Sequence, residues 1–234
     1  MTTAADSSRR KAGDATRQRL LRAAERLFGR HGVDAVSLNE IVHTAGVNSA
    51  AIHYHFRTRE GLITAILEQR LPMWRPKRIA MLEELERRPE ITARDVVVAM
   101  VEPVAGLASY PWGEDYLNFL ADISDHPRYA ALVRIVGDEY RDTYRKLFEH
   151  VTPHLPDHIR LARVSYMHEF VYHALASGSR RVELWMTSIG EAQPTWTTDD
   201  FVDMITGAIT APVHELDARA RARVVTRTRR VARS

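Results

Sequence analysis

SLNEIVHTAGVNSAAIHYHF, residues 37–56, decides the fold. Ser37-Leu38-Asn39-Glu40 is a capping box, in which the Ser hydroxyl accepts from the Glu40 N–H and the Glu carboxylate reaches back. The helix it opens carries Leu38, Ile41, Val42 and Ala45 at helical spacing. Gly46 then tolerates the positive φ that a tight turn between helices requires. Val47 plugs the corner, and Asn48 caps a second short helix, Ser49 to Phe56. Helix, three-residue turn and helix within this length define a helix-turn-helix. At about 100° per residue, Ile52 and Phe56 lie about 40° apart and face inward. Ala50 and Tyr54 lie nearly opposite, with His53 beside them. That face offers small, hydrogen-bonding and aromatic groups and no carboxylate. Such a surface suits base edges in a major groove, where acids would repel phosphate.

Working outward, Leu20, Ala23, Ala24, Leu27 and Phe28 form one apolar stripe, and the helix is expected from Asp14 to the glycines Gly29 and Gly32. Residues 1–13 are small, polar and aperiodic, and are expected to form a flexible arm. Thr58 caps a helix with Leu62, Ile63, Ile66, Leu67 and Leu71, which Pro72 and Pro76 are expected to bend or end. A run capped by Thr92 follows, then stripes over 116–123, 129–151 and 159–175. A last helix, capped by Thr198, is expected to run on through Val213 and Leu216. Residues 177–197 read as loop, with one helical turn near Val182–Thr187. No strand is needed. The expected fold class is all-α, about nine helices, with a small N-terminal three-helix bundle on a larger helical body. The expected domains are 14–58 for the helix-turn-helix unit and 59–217 for ligand binding and dimerisation, followed by a basic tail, 218–234.

The chain has 234 residues, 45% hydrophobic and 27% charged, an ordinary globular balance that argues against disorder and membrane classes. No apolar run is long enough to span a bilayer. The first residues lack the apolar core of a secretory signal, so a cytoplasmic location is expected. There is no cysteine, which removes disulfides, thiolate metal sites and thiol nucleophiles. Net charge is only +3, but residues 1–60 carry +4, residues 61–217 carry −8 and residues 218–234 carry +7. A basic head and tail around an acidic body suit a polyanion at the ends, and the same pattern also reads as solvated surface charge.

The stretch AAERLFGRHGVDAVSLNEIVHTAGVNSAAIHYHFRTREGLITAIL resembles the tetracycline-repressor (TetR) family of transcription regulators. AGVNSAAIHYHFRTREGL is its most specific part. The resemblance covers about 50 residues, and the rest matches only as a helical body of the right size. It implies that Ser37 touches a phosphate and that Asn48, Ser49 and Ala50 approach bases. It further implies that His53 and Tyr54 meet phosphate or base edge, and that His55, Thr58 and Arg59 hold the DNA backbone. His53 stands where many members have Tyr. The implied protein is a homodimer on a palindromic double-stranded DNA operator, probed by two copies of one reading helix. Its function would be that of a repressor released by a small hydrophobic effector. The helices at about 159–176 and 199–216 would form the dimer interface. The helix opening at Thr58 would join the two halves.

For the effector, Trp112, Tyr116 and Phe119 near a helix start are the first candidates, with Met100, Tyr166 and Phe170 behind them; Met73 and Trp74 belong to the same aromatic and methionine set. An aromatic stripe at helical spacing also serves as plain core. No catalytic residue, metal or cofactor is expected. His150, His154 and His158 are four apart, but Pro153 and Pro156 interrupt the helix a shared metal face would need. The rival readings are an all-α metal protein or enzyme built on those histidines, and an architectural DNA binder using the basic ends.

Overall fold

The computed structural model describes residues 4–124, 126–178, 187–188, 190 and 197–213. Among them lie nine α-helices and no strand: α1 Ala4–His31, α2 Leu38–Ala45, α3 Ser49–Phe56, α4 Arg59–Arg87, α5 Ala93–Ala105, α6 Gly113–Ser124, α7 Ala130–Val151, α8 Asp157–His173 and α9 Thr198–Thr210. A 3-10 turn, Gly106–Ser109, joins α5 to α6, and a π turn, Ala174–Gly178, extends α8.

The N-terminal unit closes α1, α2, α3 and the start of α4 around Leu20, Phe28, Ile41, Ile52 and Ile63, all buried. The apolar core then continues without a break into the larger body, where Met100, Tyr116, Phe119 and Ile205 are sealed. Helix α4 is the common member, 29 residues long and buried on one side from Leu62 to Leu85. Exposed ion pairs stitch neighbouring elements, Lys77 to Glu102 at 2.8 Å and Arg94 to both Asp199 and Asp203 at 2.7 Å.

Several expectations are corrected. Helix α1 begins at Ala4, not Asp14, because residues 4–12 contain no breaker and simply extend the helix behind them. Gly29 does not end α1. It lies inside, where a Cβ would come within 2.0 Å of the Asp115 carbonyl oxygen, so its missing side chain lets α6 cross closely. Gly32, at φ +85°, ends the helix. Pro72 and Pro76 do not stop α4. The carbonyls they deprive of donors belong to Glu68 and Pro72, both exposed residues on the side of the helix open to solvent. The last helix is capped by Thr197, whose hydroxyl and Asp200 form a capping box, and it ends at Thr210 before Pro212. Val213 follows that end, and Leu216 lies outside the described residues, as do most of the 177–197 segment and the whole arginine-rich tail.

Candidate nucleic-acid interface

Local chemistry builds the reading surface. The Ser37 hydroxyl accepts from the Glu40 N–H at 3.1 Å, fixing the start of α2. Gly46 adopts φ 59°, ψ 45°, and its N–H donates to the His43 carbonyl at 3.0 Å. From 27 residues away, the Arg19 guanidinium donates to the Gly46 carbonyl at 2.9 Å and locks the turn. The Asn48 side-chain oxygen accepts from the Ala50 N–H at 2.8 Å, which starts α3. Its amide NH2 keeps its donors for another partner, and the Ser37 hydroxyl keeps its proton.

Ile52 and Phe56 are buried, as their spacing predicts. Asn48, Ser49, Ala50 and His53 are exposed on the opposite side. Tyr54 is 83% exposed, the most exposed large apolar side chain described, with its ring edge-on to His55 at 5.0 Å. The structure therefore leaves Ser37, Asn48, Ser49, Ala50, His53 and Tyr54 all exposed to solvent, with Ala50 and Tyr54 on the side of α3 away from Ile52 and Phe56.

Three residues behave differently. His55 is half-buried toward α1, and burial, with Arg17 nearby, holds its pKa below the ordinary value. Thr58 is exposed, and its hydroxyl caps α4 by accepting from the Gly61 N–H at 3.0 Å. Arg59 turns into the protein: its guanidinium donates to the Val33 carbonyl and lies 5.8 Å from the Phe28 ring centre. It ties α4 to the end of α1 and is not presented outward with the others. Sequence reasoning passed over Arg57, an exposed side chain on a backbone at φ 59°, the sole non-glycine with positive φ among the described residues. Holding a side chain there costs about 1–3 kcal/mol, a cost that clusters at functional positions. Its place between Phe56 and Thr58 was a visible signal of an abrupt helix end. The contact of Arg19 across 27 residues left none.

The six expected effector residues do not share one site. Met100, Tyr116 and Phe119 are buried in the core. Trp112 is packed between Tyr110, stacked at 4.8 Å, and the Arg70 guanidinium, 3.5 Å from its ring centre. Tyr166 is 72% exposed on α8, and Phe170, also exposed, lies 5.8 Å from the Phe201 ring of α9. An open groove of about 460 Å³ runs instead along α4, past Leu71, Pro72, Arg75, Pro76 and Ile79, and takes in none of the six. Of the histidines weighed as a metal face, His154 bonds the Thr210 carbonyl at 3.1 Å while His150 and His158 lie on different helices.

The described residues thus form a compact helix-turn-helix unit with an outward polar edge, set on a larger helical body. Residues 20–66 match the family described as bacterial regulatory proteins, tetR family. Over 53 residues the chain is 45% identical to the HTH-type transcriptional regulator AcrR of Shigella flexneri, which is 23% of this chain and 25% of that protein. Over 146 residues it is 26% identical to the HTH-type transcriptional regulator UidR of Escherichia coli strain K12, 56% of this chain and 67% of that one. The chain thus spans about a quarter of the length of the curated relatives it matches first. In fold it is similar to NalD of Pseudomonas aeruginosa, the secondary repressor of a multidrug efflux pump there, with TM-score 0.55 and 18% identity over 85% of this chain and 95% of that one. A TetR-like regulator from Rhodococcus sp. RHA1 gives 0.56 and 15% over 83% and 93%. The N-terminal segment thus matches the tetR family's DNA-binding unit, and the helical body behind it shares the fold of these solved structures.

Proposed function

We propose that this protein is a sequence-specific, DNA-binding transcriptional repressor that acts as a dimer on a palindromic operator and is released by a small, largely apolar effector. The observation that carries this reading is the head of α3, where Ser49, Ala50, His53 and Tyr54 are exposed while Ile52 and Phe56 anchor the helix from behind. Asn48 and Ser37 flank it with free donors suited to phosphate. Ala50 is small enough to meet a thymine methyl, and the free N–H groups of the α3 start favour an anion. Arg57 joins this set as a phosphate contact, and Arg59 leaves it. A cytoplasmic location goes with this reading; no helix among the described residues is long and apolar enough to cross a membrane.

Dimerisation has its own support. Leu161, Tyr166 and Phe170 of α8 and Met204 of α9 are large apolar side chains left exposed, and Phe170 and Phe201 connect the two helices. A second copy seated there by a two-fold axis forms a four-helix interface and sets two α3 helices side by side.

The body grips the reading unit through α6 and the loop behind it. Arg30 pairs with Asp115 at 3.0 Å, the Val33 N–H donates to Asp122 at 2.6 Å, Asp34 meets His126 at 3.1 Å, and Glu60 meets Arg128 at 2.8 Å. An effector that favours one setting of α4 against α6 changes the spacing of the two α3 helices, and a coupling of about 1–3 kcal/mol suffices for a 5–150-fold change in affinity. Selection from random double-stranded oligonucleotides tests the reading. It is expected to return an inverted repeat. A pool without symmetry or preference contradicts it and favours an architectural binder.

A further inference from the structure

The centre of the helical body holds a charge that nothing described there neutralises. Arg78, on the inner face of α4, is 1% exposed. Its Nη2 donates to the Met100 carbonyl at 2.9 Å, but its Nε has no partner. Among the described residues no carboxylate makes an ion pair with it, in contrast to Arg70 about two turns earlier on α4, which holds Glu25 by two bonds of 2.8 and 2.9 Å. The surroundings are aromatic. The guanidinium lies 4.7 Å from the Trp74 ring centre and 5.8 Å from that of Tyr140. The Arg78 charge also acts on Tyr144, Tyr172 and His168, which places them around it, and its guanidinium lies close enough to the Tyr172 hydroxyl to donate to it. His168 is kept neutral by burial, so it adds no second positive charge.

The same region gathers polar atoms without partners. The Trp74 indole N–H and the hydroxyls of Tyr116 and Tyr140 are buried without a hydrogen bond of good geometry, although the Tyr140 hydroxyl lies beside the Arg75 side chain. Burial holds the Tyr116 hydroxyl protonated against the smaller pull of the Trp74 N–H beside it, yet neither makes a hydrogen bond of good geometry. Buried polar groups are almost always hydrogen-bonded, and a buried charge without a counter-charge is costlier still. Trp74 and Tyr140 beside one uncompensated guanidinium, with Tyr116 next to Trp74, are poor core design and good anion-site design. A guanidinium offers paired N–H donors in a planar fork that matches a carboxylate, and the rings of Trp74, Tyr116, Tyr140 and Tyr144 supply flat apolar walls.

We propose that Arg78 is the anchor of a ligand site for a small aromatic carboxylate, with Trp74, Tyr116 and Tyr140 completing its polar contacts. This rests on the reading of the body as an effector domain and specifies what that effector carries. Arg78 lies about five turns along α4 from Arg59, so a ligand that parts α4 from the Tyr140 face of α7 acts on the same helix that enters the reading unit.

The test uses the full chain without DNA, so that it can succeed or fail independently of operator binding. Isothermal titration compares 2-naphthoate, benzoate and indole-3-acetate with 2-naphthamide, benzamide and indole-3-acetamide, and with decanoate. At least one aromatic acid is expected to bind one per chain, at least tenfold tighter than its amide and tighter than decanoate, and to change tryptophan fluorescence through Trp74. Arg78→Met is expected to raise the melting temperature of the unliganded protein and to erase the acid-over-amide preference, while Arg78→Lys retains part of it. If Arg78→Met does not fold, Tyr140→Phe serves, with a several-fold loss of acid affinity. Equal binding of acid and amide, no binding by any aromatic acid, or a preference that survives Arg78→Met overturns the proposal. Tighter binding of decanoate overturns its aromatic part. Carboxylate binding in a protein that selects no DNA site leaves this inference standing and removes the regulator reading.

Discussion

At the scale of single residues, two buried ionisable groups govern stability. Glu25 of α1 and Arg70 of α4 form a bidentate pair, both nearly sealed, and Arg70 also covers the Trp112 face. Burial raises the Glu25 pKa despite the arginine beside it. Removing one member strands the other charge, so Glu25→Ala is expected to cost about 3–5 kcal/mol, read as a lower urea midpoint. A loss below 1 kcal/mol would mean that Arg70 finds water or another partner. His168 gives a pH signature. Burial, helped by Arg78, pushes its pKa down to about 4 from an ordinary 6.5. Between those values the unfolded chain binds a proton that the folded chain refuses, so this group's contribution is intact above pH 6.5 and declines as pH falls to about 4. The expected loss is about 1–3 kcal/mol across that window. His168→Gln should flatten that part of the stability–pH curve measured by denaturant titration; an unaltered curve would show that the imidazole titrates normally.

At the scale of elements, the crossing of α1 over α6 is set by a missing methyl group. Gly29→Ala would drive a Cβ into the Asp115 backbone, which has no side-chain freedom to yield. Overpacking of this kind costs about 1–3 kcal/mol and should also loosen the Arg30–Asp115 pair. The melting temperature checks it, with Gly13→Ala as the control, since a Cβ there meets nothing within 4 Å. Gly29 also shows where sequence reading stops. A glycine near a helix end looks like a terminator, and only the position of Asp115 on a helix far along the chain reveals a crossing point. The helix-turn-helix was legible because all its determinants are local: the Ser37, Asn48 and Thr58 caps, the left-handed Gly46, and the Ile52–Phe56 spacing. The α4 prolines misled for the converse reason, since their cost depends on which side of the helix faces water. Arg59 and Trp112 misled because a guanidinium or an indole takes its role from what packs against it. Arg78 and Trp74 stand out only once burial and pairing are known.

At the scale of the whole molecule, the reading unit, the four links from the α6 region and the exposed apolar face of α8 and α9 form one chain of dependence. Two readers held apart by a dimer bind a two-fold site far better than one. The double substitution Leu161→Glu, Tyr166→Glu places charge on side chains now exposed. It is expected to give a folded monomer by light scattering and at least a tenfold loss of DNA affinity. A stable dimer would move the interface elsewhere.

The central claim is that the outer edge of α3 reads duplex DNA. Fluorescence anisotropy on the selected inverted repeat tests it most directly, comparing the wild type with Ser49→Ala and Tyr54→Ala after circular dichroism has shown all three folded. Each substitution is expected to weaken specific binding by about 1–3 kcal/mol while leaving binding to an unrelated duplex nearly unchanged. Wild-type affinity for the repeat in both variants would contradict the account.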